Sequence, residues 1–461
     1  MPGWSVDERG ATEAALRATR VDHAWEATAA GLDAYAGGWV RARAEACEAT
    51  HVQRVASEEL LELRMACLDR RAVQLRATVE LLAQADDGVA ARSAQVVRSL
   101  PPVEPCLDAE RLREGPGPLP EALAAPAAEI RALVARSWAF DAAGRAAQGL
   151  EAAEQAVAAA ARLGPAGEPL VAEALLSRGR VYRAARRLDE ARPDLEAVLQ
   201  TAEHGGDETL ALDALQELLL VAHDAADRSA FGAWLVVARG KLRRLEGEPR
   251  TRARLLHLEG LAALREGEPA RAVEAFETAA ELWREQGPGA TLELARTLLQ
   301  LGVARGRQGE DAGAEEAFEA ARALAEGEGL LPLLAETHQE RGRLHLDRGR
   351  LPPAEQQLRR ALELRVAIDG PTAPITIPTR VPLAMLLQQR GELPAAIAMA
   401  QAARDSLGPG VPAQSHAQPL RALPQVCAVH AVAECVCALA EGATRGASPD
   451  RCSATKPARR S

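Results

Sequence analysis

Aromatic residues are scarce in this chain of 461 residues, which has six Trp, four Phe and two Tyr. The formal net charge is −10 and the pI is about 5.6. A nucleic-acid partner requires a basic face for the phosphates and aromatic rings on which bases can stack. The composition therefore argues against nucleic-acid binding, and we expect no nucleic-acid partner.

Long apolar runs are also missing. No stretch reaches the roughly 18 uninterrupted apolar residues that a membrane helix needs. The N-terminal sequence MPGWSVDERGATEAAL lacks the basic-then-apolar pattern of a signal peptide. The sequence predicts no membrane span in this chain and a cytoplasmic location.

Motifs that carry catalysis are missing as well. We find no Gly-rich phosphate loop, no HRD or DFG, no HExxH and no GxSxG. Carboxylates are plentiful, but they stand three or four positions from Arg, as in EEAFEAAR, which is typical of a solvated helix face. We predict no catalytic residue, no cofactor and no enzymatic activity.

The residues that are abundant favour helix. Ile occurs only five times, whereas Ala, Leu, Glu and Arg dominate. In GRLPPAEQQLRRALELR, which begins at Gly349, a turn glycine precedes Ala354, Leu358 and Ala361 at helical spacing. The same signature recurs at offsets of 40 to 42 residues. Clear copies contain Gly179 to Val198, Gly260 to Ala279, Gly302 to Ala321, Gly342 to Ala361 and Ala384 to Ala403, and weaker copies contain Ser137 to Ala156 and Leu219 to Ala238.

Each copy is interpreted as two helices that meet at a turn, where glycine accepts a left-handed backbone. We expect small residues to let the two helices approach, and Phe or Leu to fill the groove to the neighbouring pair. Because one pair cannot bury its apolar face alone, the pairs must stack. The prediction is an all-α fold, a right-handed α-solenoid of about seven helix hairpins preceded by an N-terminal helical bundle. Pro378 and Pro382 should shorten or bend the first helix of the seventh copy.

Four domains are predicted: an N-terminal helical region at 1–100, a Pro-rich linker at 101–126, the repeat array at 127–404, and a capping helix with a disordered tail at 405–461.

In the N-terminal helical region, apolar residues alternate in steps of four and three from Leu61 to Leu82. We interpret this seam as a buried face of the bundle, with a coiled-coil dimer seam as the alternative. In the tail, Cys427, His430, Cys435 and Cys437 suggest zinc ligands, but their spacing fits no common finger. We predict no metal site, and an apolar helix at about 425–440 that caps the array.

The repeats resemble the tetratricopeptide repeat (TPR), over about 280 of the 461 residues. Their period exceeds the usual 34 residues, as in variants similar to kinesin light chain.

The segments GLDAYAGGWVRARAEACEAT and SEELLELRMACLDRR resemble a segment of large bacterial serine/threonine protein kinases that carry TPR arrays. In that family it lies between the kinase and the repeats, often just beyond a membrane span. The location of this chain would then be extracytoplasmic. We expect Cys47, Cys67 and Cys106 to be small buried residues, with one disulfide as the alternative in an oxidising compartment.

The TPR resemblance implies that the first helix of each pair lines a concave groove that docks a protein or peptide. The basic candidates on that face are Arg180, Arg183, His223, Arg254, His257, Arg296, Arg307 and Arg343, and the acidic ones are Glu173, Asp213, Asp224, Glu336 and Asp347. We predict a partner with an acidic segment held by Arg, or else Arg residues that only pair with neighbouring acids. The predicted function is a non-enzymatic TPR scaffold in bacterial signalling. The alternative is the regulatory portion of a serine/threonine kinase whose kinase domain is absent from this chain.

Overall fold

The structure is a computed structural model that describes residues 3–114, 119–244 and 249–406. Within these ranges the secondary structure is helical, with no strand. The chain divides into two compact units, one ending at Leu330 and the other beginning at Leu331. The predicted capping helix, the four tail residues Cys427, His430, Cys435 and Cys437, and the predicted disordered tail lie outside the described residues.

The described N-terminal region of the first unit contains six α-helices, and Ser5 and Ser57 cap two of them by accepting bonds from backbone N–H groups. The helices are α1 (Val6–Arg17), α2 (Ala24–Cys47), α3 (Glu58–Leu82), α4 (Asp87–Ala90), α5 (Ser93–Arg98) and α6 (Ala109–Glu114). The predicted seam lies on α3, where its later residues are buried: Leu68, Ala72, Leu75, Val79 and Leu82. Since α3 packs against α2 and the first repeat helix, the interpretation as a bundle face accounts for this burial.

A disulfide joins Cys67 on α3 to Cys106, and both residues are buried. Cys47 is a free, half-buried thiol, so the expectation that all three are buried is wrong for Cys47. Cys106 belongs to the Pro-rich segment predicted as a linker, and Val103 of the same segment is also buried. The start of that segment therefore packs on the N-terminal region.

Five helix hairpins complete the first unit. They are α7 (Ala124–Ala142) with α8 (Ala146–Ala161), α9 (Glu168–Ala184) with α10 (Leu188–Gly205), α11 (Glu208–Asp224) with α12 (Arg228–Arg244), α13 (Pro249–Glu266) with α14 (Pro269–Glu285), and α15 (Thr291–Gln308) with α16 (Asp311–Gly327). The two helices of each hairpin pack on each other, and successive hairpins pack together. We number these the first to fifth hairpins.

The second unit has two hairpins in its described part, α17 (Leu331–Asp347) with α18 (Leu351–Asp369) and α19 (Ile377–Gln389) with α20 (Leu393–Asp405). Helix α19 has 13 residues where α17 has 17, with Pro378 in its first turn and Pro382 inside it. The shortening predicted from these prolines is therefore found.

Each hairpin turn contains one residue with a left-handed backbone, at the position that the repeat predicts. These residues are Gly144, Arg186, Ala226, Gly267, Gly309, Gly349 and Gly391, with φ between 58° and 92°. The described residues thus contain seven hairpins, and the predicted α-solenoid architecture is confirmed.

The bulky residue of the signature packs inside its own hairpin, which corrects one expectation. A Cβ built on Gly260 would lie 2.6 Å from the ring of Phe276, and one on Gly302 would lie 2.7 Å from Phe318. Glycine is required there because the ring occupies the space of the missing side chain. The Phe therefore fills space against its partner helix.

Candidate partner-binding face

The N-terminal region packs on the first helices of the first and fifth hairpins. Helix α3 packs along α7, and α5 contacts both α7 and α15. Arg98 of α5 forms an ion pair with Glu328, just beyond α16. The face on which a groove was predicted is therefore partly covered by the chain's own N-terminal helices.

Between the N-terminal region and the repeats remains a recess of about 200 Å³. Ser99 and Arg296 on its wall are exposed, so the recess opens to solvent beside them. Its polar lining comprises Gln74, Thr78, Gln95, Ser99, Trp138, Asp141, Arg180, Arg183 and Arg296. Three of the predicted groove residues, Arg180, Arg183 and Arg296, thus meet at one site.

Glu217 anchors two of these arginines from behind the recess. Arg183 Nε donates to Glu217 Oε2 at 2.9 Å, and Arg180 Nε lies 3.4 Å from Glu217 Oε1. The Arg180 guanidinium also stacks over the Trp138 ring at 4.0 Å. Burial alone would raise the pKa of Glu217, but Arg183 and Arg180 outweigh burial and hold it below its usual value. Glu217 is therefore ionised at neutral pH.

The carboxylate of Asp141 differs from that of Glu217 because it makes no hydrogen bond. Burial raises the pKa of Asp141, although Arg180 and Arg183 oppose the shift. The Nε1 of Trp138 is also buried without a hydrogen-bond partner. The recess thus combines three guanidinium groups with one unbonded carboxylate and an unsatisfied indole donor.

The other predicted groove residues of the first unit lie outside the recess lining. Arg254 contacts Gln216 at 3.4 Å and Asp213 at 4.0 Å. Arg307, which is exposed, donates to the carbonyl of Leu264 at 2.9 Å, near the carboxyl end of α13. These contacts hold neighbouring first helices together.

His257 is a neutral member of this face. Its Nδ1 lies 3.0 Å from Thr297 Oγ1, and its ring packs edge-on against Phe276. Burial lowers the pKa of His257 to about 4, with Arg296 and His223 adding to the shift. At neutral pH His257 is therefore an uncharged structural contact between neighbouring hairpins.

The predicted acids are engaged with arginine. Glu173 forms a double hydrogen bond with Arg131 at 2.7 and 2.9 Å. Asp224 lies 3.2 Å from Arg186 and 3.7 Å from His223. In the first unit, pairing with neighbouring acids thus accounts for much of the predicted charge.

In the second unit, Arg343 is exposed and pairs with Glu340 at 3.3 Å. Asp347 is exposed, and Glu336 is half-buried. A buried hydrogen bond from Thr379 to Gln339, at 2.7 Å, connects the first helices of the two hairpins.

Sequence reasoning missed Trp138, Asp141 and Glu217. One signal was available for Glu217, because it is the single acid inside the apolar run LQELLLVA of α11. An ionisable residue among buried leucines requires a partner. No such signal marks Asp141, whose setting depends on the distant N-terminal helices.

The described residues contain no group of His, Cys, Asp or Glu side chains arranged to hold a metal ion. Across the same residues, no helix is both long and apolar enough to cross a membrane.

Comparison with known proteins gives matches only at the level of structure. No protein-family model matches the sequence, and no curated protein matches it. The solved structure of aspartyl phosphate phosphatase F from Bacillus subtilis matches with a TM-score of 0.50 and 12% identity, covering 85% of this chain and 96% of that one. The Rap conjugation gene regulator of plasmid pLS20, solved in complex with the Phr* peptide, has a TM-score of 0.49 and 11% identity, covering 80% and 96%.

Yeast Tom70 is also similar, with a TM-score of 0.45 and 14% identity over 88% of each chain. At such low identity, the likeness to the Bacillus subtilis structure concerns the fold alone. Together with the seven hairpins, it defines a TPR-type helical repeat fold.

Proposed function

We propose that this chain is a non-enzymatic TPR-type scaffold that binds a protein or peptide on the face formed by the first helices. The observation that supports this most directly is the use of that face by the chain itself. Helix α3 packs on α7, α5 contacts α7 and α15, and Arg98 of α5 pairs with Glu328 just beyond α16. A surface that holds helices of its own chain has the chemistry to hold a partner's segment.

The partner segment is proposed to be acidic. Among the predicted groove arginines of the first unit, Arg296 and Arg307 are the exposed ones, so they are best placed to meet a partner. A guanidinium has five N–H donors, and one internal bond leaves others for a carboxylate. Both arginines lie on α15, where a short acidic segment could contact the two together.

The test uses the complete chain and a displayed library of random peptides, from which binders are selected and their affinities measured. The expected result is enrichment of acidic peptides that bind at least about tenfold more weakly to the double variant Arg296→Glu/Arg307→Glu. The matched control reverses two exposed arginines at the carboxyl ends of second helices, Arg162 next to α8 and Arg284 in α14, as Arg162→Glu and Arg284→Glu, and should keep wild-type affinity. Equal binding by wild type and the α15 variant would remove the acidic-partner proposal, and failure to enrich any peptide would contradict peptide binding.

The alternative function is the regulatory part of a serine/threonine kinase system in bacteria. It is supported by the resemblance of roughly residues 10–110 to the segment that precedes TPR arrays in such kinases. A kinase domain encoded beside or fused to this chain would favour that alternative. Purified complete chain should show neither ATP hydrolysis nor phosphotransfer, and either activity would contradict the non-enzymatic proposal.

A further inference from the structure

Residues 101–113 follow the helices α1 to α5, and we call this segment, which includes most of α6, the strap. One covalent bond fastens it near its middle, the disulfide between Cys67 on α3 and Cys106. Cys106 is fully buried and Val103 is 5% exposed, so the strap is packed where the disulfide holds it.

Hydrogen bonds from α2 and α3 also end on the strap, and three of them run from a side chain to a strap carbonyl. They join Tyr35 to Pro101, Arg71 to Pro102 and Arg64 to Leu107, at 2.9, 3.0 and 3.2 Å. The net contribution of one such bond is about the conformational entropy cost of ordering one residue. Three bonds and the burial of Val103 therefore do not offset the cost of ordering the whole strap. The disulfide reduces that cost because it already holds Cys106 beside α3 in the unfastened segment.

The strap covers an apolar face of the N-terminal region. Its apolar side chains cluster with residues of α2 and α3, namely Trp39, Ala42, Leu68 and Ala72. Trp39 is only 4% exposed under this cover. On α11, burial raises the pKa of Asp213, and Arg111 of the strap is one of three arginines that oppose the shift. A released strap would therefore uncover Trp39 and take Arg111 away from the face formed by the first helices.

We propose that Cys67 and Cys106 form a redox latch, in which the disulfide keeps the strap closed and reduction to two thiols releases it. To close the strap, one cysteine thiolate attacks an exchangeable disulfide R–S–S–R and displaces the first R–SH. The other cysteine thiolate attacks the resulting mixed disulfide at the cysteine sulfur and displaces the second R–SH. The two cysteines lose two electrons to R–S–S–R, and their two protons leave on the two R–SH molecules. A dithiol reductant runs the exchange in reverse and becomes a disulfide itself.

The two locations predicted from the sequence correspond to the two states of this latch. In an oxidising compartment the disulfide persists and the strap is closed, whereas the thiol pools of the cytoplasm keep cysteines reduced and the strap open. This inference does not depend on peptide binding at α15.

The experiment is amide hydrogen exchange, read by mass spectrometry, on the complete chain before and after reduction with dithiothreitol. Alkylation in denaturant followed by peptide mapping establishes which cysteines are bonded in each sample. In the closed strap the backbone N–H groups of Cys106, Leu107 and Leu112 donate to strap carbonyls. We expect the amides of the strap to exchange at least about tenfold faster after reduction, while α2 and α3 keep their protection.

Two variants separate this disulfide from the other cysteines of the chain. The double variant Cys67→Ala/Cys106→Ala should show fast exchange in the strap with or without dithiothreitol. The matched control Cys47→Ala removes the free thiol and keeps the disulfide, so its strap should respond to dithiothreitol as the wild-type strap does.

Slow exchange of the strap in the fully reduced wild-type chain would overturn the proposal, because the strap would then stay closed without the bond. Loss of protection throughout α2 and α3 on reduction would also overturn it, since the disulfide would then stabilise the whole region and not the strap; circular dichroism measures the helix content of each sample. Free thiols at Cys67 and Cys106 after equilibration with oxidised glutathione would contradict the closing step.

Discussion

The third hairpin differs from the fourth and fifth hairpins in how its two helices are held. In the fourth and fifth, a turn glycine and a helix glycine accompany a fully buried Phe. In the third, the left-handed turn residue is Ala226, and the glycines of α12 face open space. The repeat can therefore lose its glycines and still form a hairpin.

The third hairpin adds a buried charge to its apolar packing, whereas the other two pack a Phe ring against a glycine. Lys241 on α12 is only 2% exposed, and its ammonium lies 2.7 Å from both Glu203 and Glu208. Val236, on the same helix, is 70% exposed. Buried ion pairs contribute less net stability than apolar packing of similar volume. The comparison thus predicts that the same kind of substitution changes the free energy of unfolding in opposite directions in these hairpins.

The largest predicted effect is on how stability depends on pH. The fourth hairpin contains His257, which is neutral at neutral pH, whereas the third contains Glu217, which is ionised. His257 in the fourth hairpin has its pKa lowered from 6.5 to about 4. Between these values the unfolded state binds more protons, so stability decreases as the pH falls from above 6.5 to about 4. The loss should be on the order of 3 kcal/mol. Urea unfolding across this range measures it.

The variant His257→Gln should remove most of that pH dependence, whereas the exposed His204→Gln should keep it. The lowered pKa of Glu217, on α11, gives the third hairpin its own dependence of stability on pH. Its stabilising effect is present above its usual value of 4.5 and is lost only as the pH falls further. An unchanged pH profile in His257→Gln would show that His257 is not the group responsible.

The second prediction places a methyl group in the fifth hairpin. In Gly302→Ala, the new Cβ would lie 2.7 Å from the ring of Phe318, which is fully buried. Overpacking of this kind should lower the free energy of unfolding by about 2 kcal/mol, despite the gain in helix propensity. Chemical denaturation compares it with wild type. A double variant with Phe318→Leu should recover part of the loss, and no recovery would argue against the clash.

Much of this comparison could be anticipated from the sequence, but the recess could not. The signature located all seven turns, including Arg186 and Ala226, because a hairpin turn is set by residues close in the chain. The placement of Asp141 beside Gln74 and Gln95 depends on how the N-terminal helices fold back on the repeats. Such long-range packing leaves no periodic trace in a single sequence.

The third prediction restores a glycine to the third hairpin. Ala226 has φ 58°, where a Cβ clashes with the backbone. In Ala226→Gly this conformation costs less, and the free energy of unfolding should rise by about 1 kcal/mol. The reverse change in the fifth hairpin, Gly309→Ala at φ 92°, should lower it. Thermal unfolding measures both, and a loss of stability in Ala226→Gly would contradict the strain argument.

The smallest predicted effect is that of Gly240→Ala on α12, which is the same substitution as Gly302→Ala at a position with free space around it. A Cβ at Gly240 meets no atom within 4 Å, so Gly240→Ala adds helix propensity without a clash. The free energy of unfolding should rise by about 0.7 kcal/mol, opposite in sign to Gly302→Ala. Because the two substitutions are chemically identical and both lie within helices, the unfolded-state contribution is nearly common to them. The difference in their measured effects therefore isolates the contact between Gly302 and Phe318, and effects of the same sign would show that this contact does not distinguish the two hairpins.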